Sequence, residues 1–151
     1  MSEATRDAVH INDSSPNEDY KKVLRRILKD GVCPFCEEHF KYHDEAILHR
    51  VGDWVITRNQ YSYKNAKLAL LILNPKRHLE RYEELSPADH LAISELVSWA
   101  IREFRIEGGG VALRFGEPKH TGASVRHLHA HLIVPEIGKD GKAIPVYFPF
   151  G

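Results

Sequence analysis

The amino-acid sequence predicts an α+β fold, with a mostly antiparallel sheet of about five strands and two helices. Two observations lead to this fold class. Five β-rich stretches are joined mainly by short loops, and only one long helical excursion separates them. The 151 residues also suffice for one domain with its own core. We therefore expect a flexible N-terminal extension over residues 1–15 and a single domain over residues 16–151.

Two segments have the apolar periodicity of amphipathic helices. The first follows an N-cap serine and an N1 proline at 15–16, and its apolar residues recur at helical spacing from Tyr20. Gly31 is expected to end it. The second begins at Ser86, which a proline follows, and the glycines at 108–110 end it.

Five stretches are typical of strands: 45–50, 53–59, 67–74, 111–117 and the histidine segment SVRHLHAHLIVP at 124–135. The first two are close enough for a hairpin turn at Val51-Gly52. Alternate residues of a strand share a face, so His127, His129 and His131 should lie on one side of the last strand. The residues between them, Leu128, Ala130 and Leu132, should face a core on the other side.

The overall composition excludes several kinds of partner. Lys and Arg together number 21, equal to Asp and Glu together, so the chain has no electrostatic footprint for nucleic acid. No apolar run approaches the roughly 20 residues of a membrane span. The polar N-terminus lacks the apolar core of a secretory signal, which favours a cytoplasmic location.

The three histidines suit phosphorus chemistry better than a single shared centre. Their Cα atoms should lie roughly 7 Å apart along the strand, so each ring is expected to have its own role. A neutral imidazole is a nucleophile, and its pKa near 6.5 makes the charged, phosphate-binding form accessible as well. The turn Gly122-Ala123-Ser124 offers amides and a hydroxyl for an anion. The alternative is that these are ordinary surface or buried histidines without a chemical role.

The two cysteines of the chain, Cys33 and Cys36, have C-x-x-C spacing. In a chain without a secretory signal this spacing indicates metal or redox chemistry more often than a structural disulfide. Two sulfurs form half of a tetrahedral zinc shell, so two further ligands are needed. His39 lies close in sequence and is one candidate. Free thiols and a redox pair are the alternatives to zinc.

The motif H-L-H-A-H-L-I, with GASV before it and LNPKRH about fifty residues earlier, resembles the histidine triad (HIT) superfamily of nucleotide hydrolases and transferases. The resemblance covers about residues 30–145. Residues 58–78 look like the branch that contains dinucleoside polyphosphate phosphorylases and hexose-phosphate uridylyltransferases. The resemblance implies a five-stranded antiparallel sheet with two helices, a small-molecule nucleotide substrate and a homodimer.

The resemblance also implies a role for each site residue. His129 would attack the α-phosphorus and form a covalent nucleotidyl-histidine, while Ser124 and His131 would bind the phosphate or the leaving group. The zinc-bearing members imply one structural zinc per chain, held by Cys33, Cys36, His78 and His127. Independently of the family, Asn59 and Tyr61 are candidates for contact with the base or ribose.

These expectations together describe a hydrolase or nucleotidyltransferase for a nucleoside phosphate anhydride or phosphoramidate, such as a dinucleoside polyphosphate, with phosphorolysis also possible. The alternative is a non-catalytic nucleotide-binding or zinc-stabilised interaction protein. The chain departs from the family pattern at two places. It has Ala123 where many hydrolases have glutamine, and Arg114-Phe115-Gly116 where several members have an asparagine.

Overall fold

The computed structural model describes Val9, residues 18–43 and residues 45–151. Its two long helices are α1 (Glu18–Asp30) and α2 (Pro87–Glu103), and a single turn, α3 (Pro118–Thr121), follows later in the chain. The strands are β1 (Ile47–Val51), β2 (Trp54–Arg58), β3 (Ala66–Leu73), β4 (Gly110–Leu113) and β5 (His129–Pro135). Short 3-10 helices span Glu37–Tyr42 and Tyr82–Glu84.

The five strands form one sheet in the order β1-β2-β3-β5-β4, and every neighbouring pair is antiparallel. The predicted α+β fold class is therefore confirmed. The tight turn between β1 and β2 contains Gly52 with φ of 58°, a left-handed conformation that glycine adopts without a Cβ penalty. In the described segments 18–43 and 45–151, no helix is long and apolar enough to cross a membrane.

One face of the sheet forms the main core against α2. Leu128, Ala130 and Leu132 all lie in this core, as the alternation of the histidine segment predicts. Helix α2 contributes Leu96 and Ala100, neither of which has any exposed surface. Full burial of a leucine side chain contributes roughly 1.5–3 kcal/mol. The histidines are thereby directed to the opposite face.

The start of α2 is held by a capping box. The hydroxyl of Ser86 accepts a hydrogen bond from the backbone N–H of Asp89, and the Asp89 carboxylate accepts one from the backbone N–H of Ser86. Pro87 occupies the first turn, where its missing N–H costs nothing. The predicted start of this helix is confirmed. The helix ends at Glu103, before the predicted glycines.

The opposite face of the sheet carries the Cys33–Cys36 loop and α1. A small cluster of buried side chains there comprises Phe35, Val55, Leu71, Leu73 and Val125. A second cluster contains Val9, Leu24 and Ile27. Val9 also forms an isolated antiparallel bridge with Val125. The remainder of the predicted extension 1–15, together with the predicted helix cap at 15–16, lies outside the described residues.

Two strands are shorter than predicted because other hydrogen bonds replace the ladder. The histidine strand begins at His129 and not at residue 124, since the N–H of Leu128 donates to the carbonyl of Leu79 at 2.7 Å. Strand β4 ends at Leu113, and the N–H of Gly116 beyond it donates to the carbonyl of Glu80. His127 therefore lies in a bend before the strand, which frees its ring to turn toward the cysteines.

Candidate active site and metal centre

Four side chains from three separate segments meet beside the start of β5. Their ligand atoms, on Cys33, Cys36, His78 and His127, all lie within 4.8 Å of one another. The Nδ1 atom of His127 is 3.4 Å from the Sγ atom of Cys33 and 3.6 Å from that of Cys36. The Nδ1 atom of His78 is 3.4 Å from the Sγ atom of Cys36.

These distances match a tetrahedral zinc shell. Zinc–sulfur bonds of about 2.3 Å and zinc–nitrogen bonds of about 2.1 Å place the two ligand atoms about 3.6 Å apart. Two thiol and two imidazole donors are also the ligand types that zinc prefers. The structure brings together the four predicted ligands, and His39 is not part of the group among the described residues. The cluster therefore fits one zinc ion per chain.

Hydrogen bonds orient the ligand atoms of the cluster. The Nε2 atom of His127 lies 2.7 Å from the carbonyl oxygen of Asn74. Because a carbonyl only accepts, Nε2 carries the proton and Nδ1 presents its lone pair to the cluster. The side-chain oxygen of Asn74 in turn accepts the backbone N–H groups of Lys76 and Arg77, which fixes the turn that carries His78.

Burial favours the uncharged forms of Cys33 and His127 in the absence of a cation. It raises the pKa of the Cys33 thiol to about 12 and lowers the pKa of His127 to about 3. A divalent cation favours the thiolate form directly, so a bound ion would convert the two cysteines into good ligands.

His129, the first residue of β5, has its two ring nitrogens in different environments. Its Nδ1 atom lies 2.8 Å from the carbonyl oxygen of His127, so Nδ1 carries the proton and Nε2 keeps a free lone pair. Burial lowers the pKa of His129 to about 4, with Arg114 and His43 adding to the effect through their charges. The ring is therefore a neutral, oriented base or nucleophile near neutral pH.

His131 lies beside His129 and differs from it in its hydrogen bonding. The two ring centroids are 4.8 Å apart. His131 is 4% exposed, and neither of its ring nitrogens has a hydrogen-bond partner among the described residues. Burial lowers its pKa well below the ordinary value, and the charges of His129 and Arg114 lower it further. A buried imidazole without a partner is costly, which indicates that a ligand supplies one.

A cavity of about 570 Å³ opens in front of His129 and His131. Its lining also includes Ser124 and Asn59, together with the apolar side of α1 and parts of the C-terminal segment 145–151. A volume of this size accommodates a nucleotide-sized ligand. None of the four cluster residues is among the described residues that line it. The metal centre and the cavity are thus neighbouring sites with different occupants.

Two of the lining residues that the sequence singled out have neighbours in the cavity wall. The side chain of Ser124 interacts electrostatically with Tyr20, which also lines the cavity. The side-chain oxygen of Asn59 accepts the backbone N–H of Tyr61 at 3.1 Å, so it shapes its own turn while lining the cavity. Ala123, at the position of the first family departure, is buried and offers no polar group to a ligand.

Sequence reasoning missed several residues that form the cavity. Tyr20 was assigned only to the apolar face of α1, yet its ring contacts Tyr61 with centroids 4.5 Å apart. His43 lines the cavity and its Nε2 atom is 2.6 Å from the hydroxyl oxygen of Thr57. Arg114 also reaches the cavity. Of these residues, only Arg114 stands out in the sequence, because it belongs to the segment Arg114-Phe115-Gly116 that departs from the family pattern.

Comparison with known proteins agrees with this geometry. The profile of the HIT domain family matches residues 55–137. No curated protein sequence matches the chain. Among solved structures, a zinc-bound histidine triad family protein from Mycobacterium smegmatis superposes with a TM-score of 0.54 at 17% identity, covering 73% of this chain and 79% of that one.

Two further structures share the fold. A HIT family hydrolase from Clostridium thermocellum superposes with a TM-score of 0.53 at 20% identity, covering 74% of this chain and 96% of that chain. The diadenosine triphosphate hydrolase of Plasmodium falciparum superposes with a TM-score of 0.51 at 18% identity, covering 64% of this chain and 65% of the hydrolase.

Proposed function

The chain belongs to the HIT domain family, and on that premise we propose that it is a nucleotide-binding enzyme that transfers a nucleotidyl group through His129. One observation carries the proposal. The hydrogen bond from Nδ1 of His129 to the carbonyl of His127 leaves an unprotonated Nε2 on a buried ring that lines the cavity. This is the arrangement that a neutral imidazole nucleophile requires.

The proposed first step is attack by Nε2 of His129 on the α-phosphorus of a nucleoside phosphate. The P–N bond forms as the bond from phosphorus to the leaving group breaks, and the leaving group takes the bonding electrons. The imidazole becomes positively charged, and its Nδ1–H donates more strongly to the His127 carbonyl as this charge develops. Attack of water on phosphorus then breaks the P–N bond and releases a nucleoside monophosphate, with the neutral ring restored.

The remaining polar groups of the cavity are assigned to substrate binding. A neutral His131 has one N–H, which would donate to a phosphate oxygen or to the departing atom of the leaving group. The Ser124 hydroxyl, which lines the cavity, would donate to the same phosphate. The apolar side of α1 and the turn at Asn59 would hold the base and ribose. A phosphate in this position would accept the N–H of His131 and so give a partner to one of its two buried nitrogens.

We also propose a structural role for zinc in this chain. Cys33, Cys36, His78 and His127 would hold it, and the ion would supply a cross-link with no open position. The cross-link would fasten the cysteine loop to the end of β3 and to the bend before β5. The carbonyl of His127 would thereby stay in place for its hydrogen bond with His129.

The substrate class that we favour is a nucleoside phosphate anhydride such as a dinucleoside polyphosphate. The Plasmodium relative, a diadenosine triphosphate hydrolase, supports this choice. We further propose a homodimer, because β4 is an edge strand and Val111 on it is 51% exposed. Light scattering coupled to size-exclusion chromatography would give twice the chain mass.

The test of catalysis is replacement of the proposed nucleophile. His129→Asn should lower turnover of a dinucleoside polyphosphate about 1,000-fold or more, since the covalent path is lost. His90→Asn is the matched control, because His90 is exposed on α2 and is not among the described residues that line the cavity. Acid quenching followed by mass spectrometry should detect a nucleotidyl adduct on the unmodified protein and none on the His129 variant.

The outcomes separate the enzyme from its alternative. Unmodified protein that turns over neither dinucleoside polyphosphates nor nucleotide phosphoramidates, and that forms no adduct, would contradict the proposal and leave a non-catalytic nucleotide-binding protein. Addition of orthophosphate distinguishes two kinds of activity. Formation of a nucleoside diphosphate would identify a phosphorylase, whereas a nucleoside monophosphate formed from water identifies a hydrolase.

A further inference from the structure

Arg114 brings a full positive charge to the cavity in front of His129 and His131. It directly follows β4, one residue beyond the pairing of Leu113 with Ala130, and it lines the cavity with His129 and His131. The guanidinium is therefore a fixed positive charge at this end of the cavity.

The guanidinium is fixed by the C-terminal segment but is not neutralised by it. One terminal nitrogen donates to the carbonyl of Pro149 at 3.1 Å, and the central carbon lies 4.6 Å from the ring centroid of Phe148. Tyr63, which also lines the cavity, interacts with it electrostatically. No carboxylate of the described residues forms an ion pair with Arg114, and its Nε atom is buried without a partner.

The charges around the cavity point to an anionic occupant. No aspartate or glutamate occurs among the described lining residues, whereas Lys64 and Arg114 both do. A partly buried guanidinium without a counter-ion is costly unless a ligand provides the negative charge. Arginine also matches phosphate oxygens better than lysine does, because its planar fork donates two parallel bonds.

The position of Arg114 in the row of rings indicates which phosphate it binds. Ring contacts lead from His129 to His131 at 4.8 Å and from His131 to Phe148 at 4.8 Å, and the guanidinium lies against Phe148. It therefore belongs to the His131 end of the row. The apolar side chains that α1 adds to the lining, such as Val23 and Leu24, suit the base, and we assign the charged part of the cavity at Arg114 to the group that departs.

We propose that Arg114 is a specificity-determining residue that binds a phosphate of the leaving group and makes the chain selective for phosphate anhydrides over phosphoramidates. This inference rests on the proposed function and names its substrate class. When the P–O bond breaks, the leaving phosphate takes the electron pair, and Arg114 stabilises that charge without proton transfer. An amine leaving group instead requires a proton and gains nothing from the guanidinium.

The test compares two substrates with one nucleoside. Arg114→Gln should lower kcat/KM for a dinucleoside polyphosphate about 10- to 100-fold more than for the corresponding nucleoside phosphoramidate, as expected for loss of a charge-assisted hydrogen bond. Arg114→Lys should restore part of the selectivity, because it keeps the charge but loses the fork. Arg50→Gln, an exposed arginine on β1 outside the cavity lining, should leave the ratio unchanged.

Two further measurements test the role of Arg114. The first distinguishes a loss of its charge from a structural disturbance, and the second does not depend on catalytic activity. Phe148→Leu loosens the aromatic support of the guanidinium but keeps its charge, so a selectivity loss as large as that of Arg114→Gln would overturn the assignment. An equal loss on both substrates in Arg114→Gln would also overturn it. Binding of inorganic pyrophosphate, measured by calorimetry, needs no turnover: it should weaken about tenfold or more in Arg114→Gln even if every substrate fails.

Discussion

Replacement of Asp89 by asparagine tests how the fold supports the metal centre. The Asp89 side chain is 6% exposed. One carboxylate oxygen accepts the indole N–H of Trp54 at 2.9 Å and a guanidinium N–H of Arg77 at 2.7 Å. The other accepts the backbone N–H and the hydroxyl of Ser86. One buried carboxylate thus links β2, the start of α2 and the residue next to the zinc ligand His78.

The expected cost follows from the protonation of this group. Burial alone raises the pKa of the Asp89 carboxyl, but the hydrogen bonds from Ser86, Trp54 and Arg77 outweigh it and lower the pKa from 3.8 to about 2. A pKa lowered on folding adds stability above the unfolded value, and this stability is lost as the pH falls through the folded value. The difference between the folded and the unfolded pKa of Asp89 corresponds to a stabilisation of the folded state of about 2.5 kcal/mol at pH 7 and about 1.3 kcal/mol at pH 3.

Asp89→Asn should therefore lower the free energy of unfolding by about 2–3 kcal/mol at pH 7, measured by urea denaturation. The difference in unfolding free energy between this variant and the unmodified protein should be about 1 kcal/mol smaller at pH 3 than at pH 7. Comparison of the two proteins at each pH cancels the protonation of the cysteines and histidines, which is common to both. Asp53→Asn is the control, because Asp53 is 52% exposed and its ion pair with Lys76 should contribute less than about 1 kcal/mol.

The same variant should lose zinc more readily, because Arg77 no longer anchors the turn that carries His78. Transfer of zinc to a chelating dye, followed by absorbance, should be several-fold faster in Asp89→Asn than in Asp53→Asn. An unfolding free energy within about 0.5 kcal/mol of the unmodified protein at pH 7 would refute the assigned role of the carboxylate. If the difference in unfolding free energy between Asp89→Asn and the unmodified protein did not change with pH, the lowered pKa of Asp89 would be refuted.

The remaining predictions concern the metal centre and the core. Cys36→Ala should reduce zinc from one ion per chain to near zero by elemental analysis, because three ligands remain; retention of a full equivalent would show that Cys36 is not a ligand. Leu96→Ala should lower the free energy of unfolding by about 2–5 kcal/mol, since Leu96 has no exposed surface. The control, Leu91→Ala on the same helix at 60% exposure, should change it by less than about 0.5 kcal/mol.

The fold could be predicted because the sequence shows both helical spacing and strand alternation of its apolar residues. Apolar residues at helical spacing and the cap at Ser86 define α2, and alternation around the histidines defines the buried face of β5. The element ends were less predictable, because they depend on hydrogen bonds to distant residues. The bond from Leu128 to Leu79 stops the histidine strand, and neither residue carries a local signal for it.

The site was predictable where chemistry requires particular residue types. Two cysteines demand two more ligands, and the family resemblance supplied His78 and His127, which the structure places beside them. Tyr20 was missed because its helical spacing is equally typical of a core residue. Its contact with Ser124 depends on how α1 packs across the sheet, and periodicity along one element does not encode the angle between two elements.

The different environments of the three histidines arise from backbone carbonyls. The Asn74 carbonyl holds Nε2 of His127, which leaves Nδ1 for the cluster, and the His127 carbonyl holds Nδ1 of His129, which leaves Nε2 for the cavity. Within the described part of the chain, no carbonyl accepts a hydrogen bond from either nitrogen of His131. Identical side chains thus acquire opposite free nitrogens because His127 lies in a bend and His129 in a strand. A strand that began at residue 124, as alternation predicts, would have aimed all three rings alike.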